Sequence, residues 1–295
     1  MRKTVNHVFL WLIIYNLLMS LVSLVPGILE AGIGWGNIIA VILGNVLIIL
    51  IGCRKKWHIE DRAFEFKPME AKNFWLLVCL LLFCQCLNII TNLITTALGA
   101  EGASIDLDIS KTGFSFILYA ALIGPVAEEL VYRRFVIGSL EKYGKISAII
   151  VSCIAFGLMH ANLTQGIFAA ITGLILGFIY VEYGLIWACI FHIINNFGLA
   201  TLPGFLIGDS KVAEYIYGGL IIAGGITGII LLIRRRAEVK EWLSQPELRG
   251  EHGFAKAVLT SVWFWVFCLM FIFIIVMFIM NPQMTDVISA SLNAA

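Results

Sequence analysis

Nine stretches of this chain are apolar for long enough to cross the hydrocarbon core of a bilayer, which takes about 17–25 residues in a helix. Their approximate bounds are 6–29, 33–53, 74–98, 113–141, 146–161, 163–182, 185–202, 215–233 and 256–280. Nothing in a bilayer core replaces the hydrogen bonds of an exposed backbone, so spans of this length must be helices. The expected fold is therefore all-α: a polytopic transmembrane helix bundle of eight or nine spans with no soluble domain. The fifth stretch is short and needs support from its neighbours. Only 13% of the 295 residues are charged, about half the usual soluble fraction of roughly 25%. The apolar surface must then face membrane lipid. A net charge of +1 gives no reason to expect nucleic acid or an acidic partner. The seven cysteines show no CxxC pair and no Cys/His metal spacing, and read as small apolar side chains. Arg2 and Lys3 precede a first apolar run too long for a signal-peptide core, and no A-x-A site follows, so it reads as an anchor.

The basic residues set the orientation. With the N-terminus in the cytoplasm and the spans alternating, the inner segments hold sixteen Lys and Arg. These are Arg2, Lys3, Arg54, Lys55, Lys56, Arg62, Lys67, Lys72, Lys142, Lys145, Arg234, Arg235, Arg236, Lys240, Arg249 and Lys256. The outer segments hold two, Lys111 and Lys211. The soluble pieces are a basic inner loop (54–73), an acidic outer loop (99–112) with Glu101, Asp106 and Asp108, and a charged inner linker (234–255). An integral protein of a bacterial plasma membrane with a cytoplasmic N-terminus is expected.

An ionisable side chain at membrane depth costs about 2.5–3.5 kcal/mol on insertion scales, so the spans that carry one deserve a reason. The fourth reads GPVAEELVYRRFVIG. Glu129 and Arg133 are four apart, on one face and able to pair. Glu128 points about 100° away on a 3.6-residue helix, which leaves it without a local cation and makes it the better candidate for proton acceptor. Phe135, Val136 and Ile137 carry the apolar run past these residues, against a helix end that merely reaches the interface. The fifth span ends FGLMHAN, with Phe156 and His160 on one face, and the seventh reads IFHIINNFG, with His192 and Asn196 on one face. At 1.5 Å per residue, Glu128, His160, His192 and Asn196 can all meet near one depth. Gly173 and Gly177 read as a close-packing face, as do Gly218, Gly219, Gly224, Gly225 and Gly228. Gln85, Asn88 and Asn92 form a polar stripe on the third span, suited to interhelical bonding or to lining a cavity.

EELVYRR, FGLMH and HIINN together resemble the E-E-x-x-x-R, F-x-x-x-H and H-x-x-x-N motifs of the CAAX-prenyl-protease-like and bacteriocin-processing (CPBP, Abi) membrane proteins. The motifs occur in the family's order on three separate spans. Arg134 stands where a glycine often follows the motif arginine. The resemblance covers residues 113–202 and makes them the catalytic core, with N-terminal spans in 1–112 and C-terminal spans and the charged linker in 203–295. It implies an intramembrane endopeptidase. Glu128 would activate water with His160, His192 and Asn196 would stabilise the oxyanion, and Glu129 and Arg133 would brace the site. The substrate would be a peptide or protein entering from the membrane or the cytoplasmic side; in eukaryotic relatives it is a prenylated C-terminal tail. No cofactor is expected. Zinc is the alternative, with Glu128, His160 and His192 as three ligands, although no H-E-x-x-H helix is present.

Two other readings fit the same residues. One is a non-catalytic membrane scaffold or bacteriocin self-immunity protein of the same fold. The other is a small-solute or proton transporter with buried Glu, Arg and His as a relay, although the repeated halves usual in transporters are absent from the sequence. The charge bias makes a direct prediction. A membrane-impermeant thiol reagent should label a single cysteine at position 106 in intact cells and leave one at position 67 untouched; labelling at 67 would invert the topology.

Overall fold

The computed structural model describes residues 1–23, 25–26, 32–54, 66–98 and 113–283. Most of the basic inner loop and the acidic outer loop lie outside the described residues. Among the described residues, eight helices are long and apolar enough to cross a membrane. They are α1 (Arg2–Ser23), α2 (Ile33–Arg54), α3 (Ala71–Ala97), α4 (Phe114–Tyr143), α6 (Leu163–Tyr183), α7 (Leu185–Ile207), α8 (Lys211–Arg234) and α11 (Val262–Met280). The remaining apolar stretch, the short fifth one, is the 15-residue α5 (Lys145–Met159). The linker holds α9 (Arg236–Ser244), and the short α10 (Phe254–Leu259) precedes α11. No strand occurs among the described residues. The protein is an integral membrane protein.

Large apolar side chains face outward all along the bundle, among them Leu93, Leu206, Leu220 and Phe273, as lipid contact requires. The interior is built around α4. Its Val131, Tyr132, Phe135, Val136 and Ile137 are almost wholly buried against α5 and α7. On the other flank α1 packs along α2 and α11, with Phe9 edge-on to Phe264 and Phe267 at ring separations of 5.0 and 5.4 Å. The helix ends that carry the basic residues are tied together. Thr4 bonds Tyr143 at 2.9 Å, the Trp187 indole donates to the Lys67 carbonyl at 2.7 Å, and Arg235 donates to Asn73 at 2.6 Å. The alternation of spans thus gathers one basic end.

Without a hydrophobic drive between helices in lipid, close packing rests on small residues. A β-carbon on Gly177 would come within 2.9 Å of Ile149, and one on Gly173 within 3.3 Å of Phe156, so both glycines seat α5 against α6 as expected. Gly224, Gly225 and Gly228 likewise seat α8 on α3, whereas Gly218 and Gly219 face open space and pack against nothing. Between α5 and α6 the backbones themselves meet at Gly157, whose added β-carbon would lie 2.6 Å from the Gly166 carbonyl oxygen. A backbone atom cannot swing aside, so Gly157→Ala should push α5 off α6. Overpacking costs about 1–3 kcal/mol, and a lowered melting temperature in detergent would register it, with Gly218→Ala as the neutral comparison.

Candidate active site

Among the described residues, three stretches near the centre of the bundle are wound as π-helix instead of α-helix: Tyr119–Ile123 and Glu129–Ile137 in α4, and Ile194–Thr201 in α7. Such widened turns form i→i+5 bonds and recur at functional sites. Proline accounts for two of them. Pro125 follows the first and has no N–H to return to Ala120 or Ala121; Pro203 follows the third and deprives Leu199. Carbonyls within the widened turns find side-chain donors instead. Asn196 Nδ2 donates to the Ala120 oxygen at 3.0 Å, Ser152 to the Tyr132 oxygen at 2.8 Å and Thr201 to the Asn196 oxygen at 2.8 Å. The Tyr217 hydroxyl donates to the Leu199 oxygen. Pro125 and Pro203 inside apolar runs were the sequence signal for this irregularity.

The charged groups are stacked at the middle of the bundle. Glu129 is completely buried, and Arg133 is 1% exposed. The Arg133 Nε lies 3.1 Å from a Glu129 carboxylate oxygen, the pair expected from their spacing. The guanidinium also sits 4.5 Å over the Phe156 ring and reaches the Gly173 carbonyl at 3.5 Å. The other Glu129 oxygen accepts from His192 Nδ1 at 2.7 Å, a bond that spacing along one helix could not reveal. The opposite ring nitrogen, Nε2, faces Glu128 at 3.6 Å. Glu128 forms no ion pair with Arg133, in line with its expected divergence from Glu129, and the two carboxylates meet one imidazole at its opposite nitrogens.

His160, His192 and Asn196 line a single cavity of about 410 Å³. Glu128 does not line it, and meets it across the His192 ring. His160 caps α5 and donates from Nδ1 to the Phe156 carbonyl at 2.8 Å, which leaves Nε2 as an acceptor. Ala161 follows with φ 53°, a left-handed conformation rare for a residue with a β-carbon and of the kind that clusters at functional sites. It reverses the chain so that His160 and Asn162 both reach the cavity. Asn196 is held by a relay of amides: Gln85 donates to Asn195 at 3.1 Å, Asn195 to Asn196 at 2.9 Å, and Asn196 to Ala120. Gln85 therefore both bridges helices and lines the cavity. Asn195 was not singled out in the sequence, since nothing in HIINN separates it from its neighbour. Among the described residues, no group of three or more His, Cys, Asp and Glu side chains is placed to hold a metal ion. Glu128, His160 and His192 as arranged do not fit the zinc alternative. The six cysteines whose side chains are described carry free thiols.

Residues 110–198 match the family model described as Type II CAAX prenyl endopeptidase Rce1-like. This segment is a domain of that family. It contains Glu128, Glu129, Arg133, His160, His192 and Asn196. A stretch of 130 residues is 28% identical to the protein named "Putative membrane peptidase YdiL" from Bacillus subtilis (strain 168), covering 42% of this chain and 53% of that protein. The chain thus spans about half the length of that curated relative. No solved structure matches.

Removing Arg133 would leave Glu129 buried without its cation, and breaking a buried pair in this way costs about 3–5 kcal/mol. Arg133→Ala should accordingly lower the melting temperature in detergent by several degrees or prevent folding. An unchanged melting curve with lost activity would instead place Arg133 against the substrate.

Proposed function

We propose that this protein is an intramembrane endopeptidase that hydrolyses a peptide bond with water activated by Glu128 acting through His192, without a metal. The observation that carries the reading is the His192 ring, held between the buried Glu129 and the partly buried Glu128 on the wall of a cavity that also presents His160 and Asn196. A helix bundle does not need such an assembly for packing, and isolated interhelical polar contacts are worth only about 0.6–2 kcal/mol. The match to an endopeptidase family over the same residues supports the same conclusion. The sixteen-to-two charge bias supports a cytoplasmic basic end and N-terminus in a bacterial plasma membrane.

Each residue then has a physical task. Glu129, anchored by Arg133, accepts the Nδ1 proton of His192 and fixes the ring, as the buried carboxylate does in hydrolytic triads. His160 Nε2 accepts a hydrogen bond from water in the cavity and orients it toward the scissile carbonyl. His192 Nε2 takes the water proton as the oxygen bonds to the carbonyl carbon, and the Glu128 carboxylate facing that nitrogen stabilises the imidazolium so formed. With Nδ1 committed to Glu129, His192 can donate to the developing oxyanion only from Nε2, and the proton taken from water equips it to do so. The second N–H of Asn196, not used by Ala120, is the other oxyanion donor. Collapse of the tetrahedral intermediate returns the proton to the departing amine.

Cleavage of a quenched peptide by purified, reconstituted protein tests this reading. Glu128→Gln should abolish turnover with a near-native melting curve, since glutamine keeps the shape and removes the charge that draws the proton onto His192. His160→Ala should behave alike, and Glu129→Gln should lose stability and most turnover together. Asn196→Ala should cost on the order of 10²–10³ in turnover, as other oxyanion donors do. Turnover should persist in a strong chelator; loss on chelation with recovery on added zinc would defeat the metal-free mechanism. A scaffold, self-immunity protein or transporter would show no cleavage by the native protein.

A further inference from the structure

The cavity extends well beyond the groups just assigned. From His192 at its floor it runs to the end of the bundle opposite the basic loops, between the C-terminal half of α3, the N-terminal turns of α4 and α6, and the later part of α7. Its α3 wall carries Gln85, Asn88 and Asn92, which pass from buried through half-buried to exposed along the helix. At about 1.5 Å per residue the step from Gln85 to Asn92 spans roughly 10 Å. Across from it, at the start of α6, stand Asn162 and the exposed Gln165. Apart from its two histidines the lining holds no Asp, Glu, Lys, Arg or His. The charges of the site lie behind the His192 ring.

Asn162 points to a ligand. It is 2% exposed, and its Oδ1 accepts from the Gln165 backbone N–H at 3.0 Å, capping α6. That bond fixes the amide and leaves Nδ2 buried with no partner. An unsatisfied buried donor costs about 1–3 kcal/mol, so a donor held this way on a cavity wall is poised for an acceptor from outside. Side-chain amides offer both donors and acceptors, which is what an unwound peptide backbone lacks once it leaves water. A charged side chain would find no counter-ion in this shaft and would be desolvated at a cost.

We propose that this amide-lined shaft binds the substrate main chain: an extended, uncharged polypeptide segment that reaches the site from the end opposite the basic loops, the extracytoplasmic side, and not from the membrane or the cytoplasmic side as the family resemblance implies. Asn88, Asn92, Asn162 and Gln165 hydrogen-bond the backbone and determine which segments are accepted. The proposal rests on the peptidase reading for the nature of the ligand, and on the charge bias for the side.

The test uses a cysteine-free full-length protein carrying one cysteine at Asn92 or Gln165, both exposed and outside the reacting groups, with Lys67→Cys as the opposite-end control. A membrane-impermeant maleimide should label positions 92 and 165 in intact cells, and position 67 only after the membrane is opened. Labelling of 92 and 165 only in opened membranes overturns the proposal. In the Glu128→Gln background, where nothing is cleaved, an uncharged peptide of Ala, Ser, Asn and Gly should slow labelling at position 92 at least fivefold. The same peptide with a central Asp–Asp should not. Equal protection by both peptides, or by neither, also overturns the proposal. With the native Glu128 restored, Asn88→Asp should raise KM for the uncharged peptide about tenfold while leaving kcat nearly unchanged. Protection without cleavage by the native protein would sink the peptidase reading and leave the shaft standing. Cleavage without discrimination or protection would do the reverse.

Discussion

Glu129 is wholly buried, out of reach of bulk water. It lies at the centre of a bundle whose outer surface faces lipid, and an unpaired carboxylate there would be untenable. Arg133 supplies the cation from one turn along the same helix, and His192 supplies a proton donor from α7. The guanidinium is itself placed by Phe156 of α5 and the Gly173 carbonyl of α6. One buried carboxylate thereby ties α4, α5, α6 and α7 into a single arrangement, and the orientation of His192 follows from it. Gly173 is part of the same constraint, because a β-carbon there would press on Phe156.

The widened turns let this arrangement satisfy its own backbone. A proline in a lipid-embedded helix leaves a carbonyl without its usual donor, and the bilayer offers no replacement. Asn196 fills that need at Ala120, and the bond fixes the position of its remaining N–H on the cavity wall. The repair of a structural defect and the placing of a functional donor are thus the same hydrogen bond. The relay from Gln85 through Asn195 extends that hold to α3, so a helix outside the family match contributes to the geometry of the site.

Much of this was legible from patterning. Apolar run length gave the helices, and the charge asymmetry corresponds to one end of the bundle where the basic segments are tied together. The four-residue spacing of Glu129 and Arg133 gave their ion pair, because both lie on one helix and local geometry decides such contacts. The small residues of α6 gave its close approach to α5. The same logic overreached at Gly218 and Gly219, because a glycine pattern does not say whether a partner helix is opposite. A 3.6-residue period gave Glu128 no arginine, yet it could not show that both glutamates reach one imidazole from another helix.

Sequence by itself determined that the chain must be a helical membrane bundle, that its polar residues cluster on three consecutive motifs, and which glutamate has the arginine. These follow from periodicity, length and the cost of charge in lipid, all local properties of the chain. Only the tertiary structure decided that His192 bridges the two glutamates, that Asn195 and Gln85 hold Asn196, and that Glu128 stands behind the ring instead of on the cavity wall. Those contacts join residues 63 and 110 positions apart. They depend on how α3, α4 and α7 are rotated against one another, which packing and backbone hydrogen bonding fix jointly and no single segment encodes.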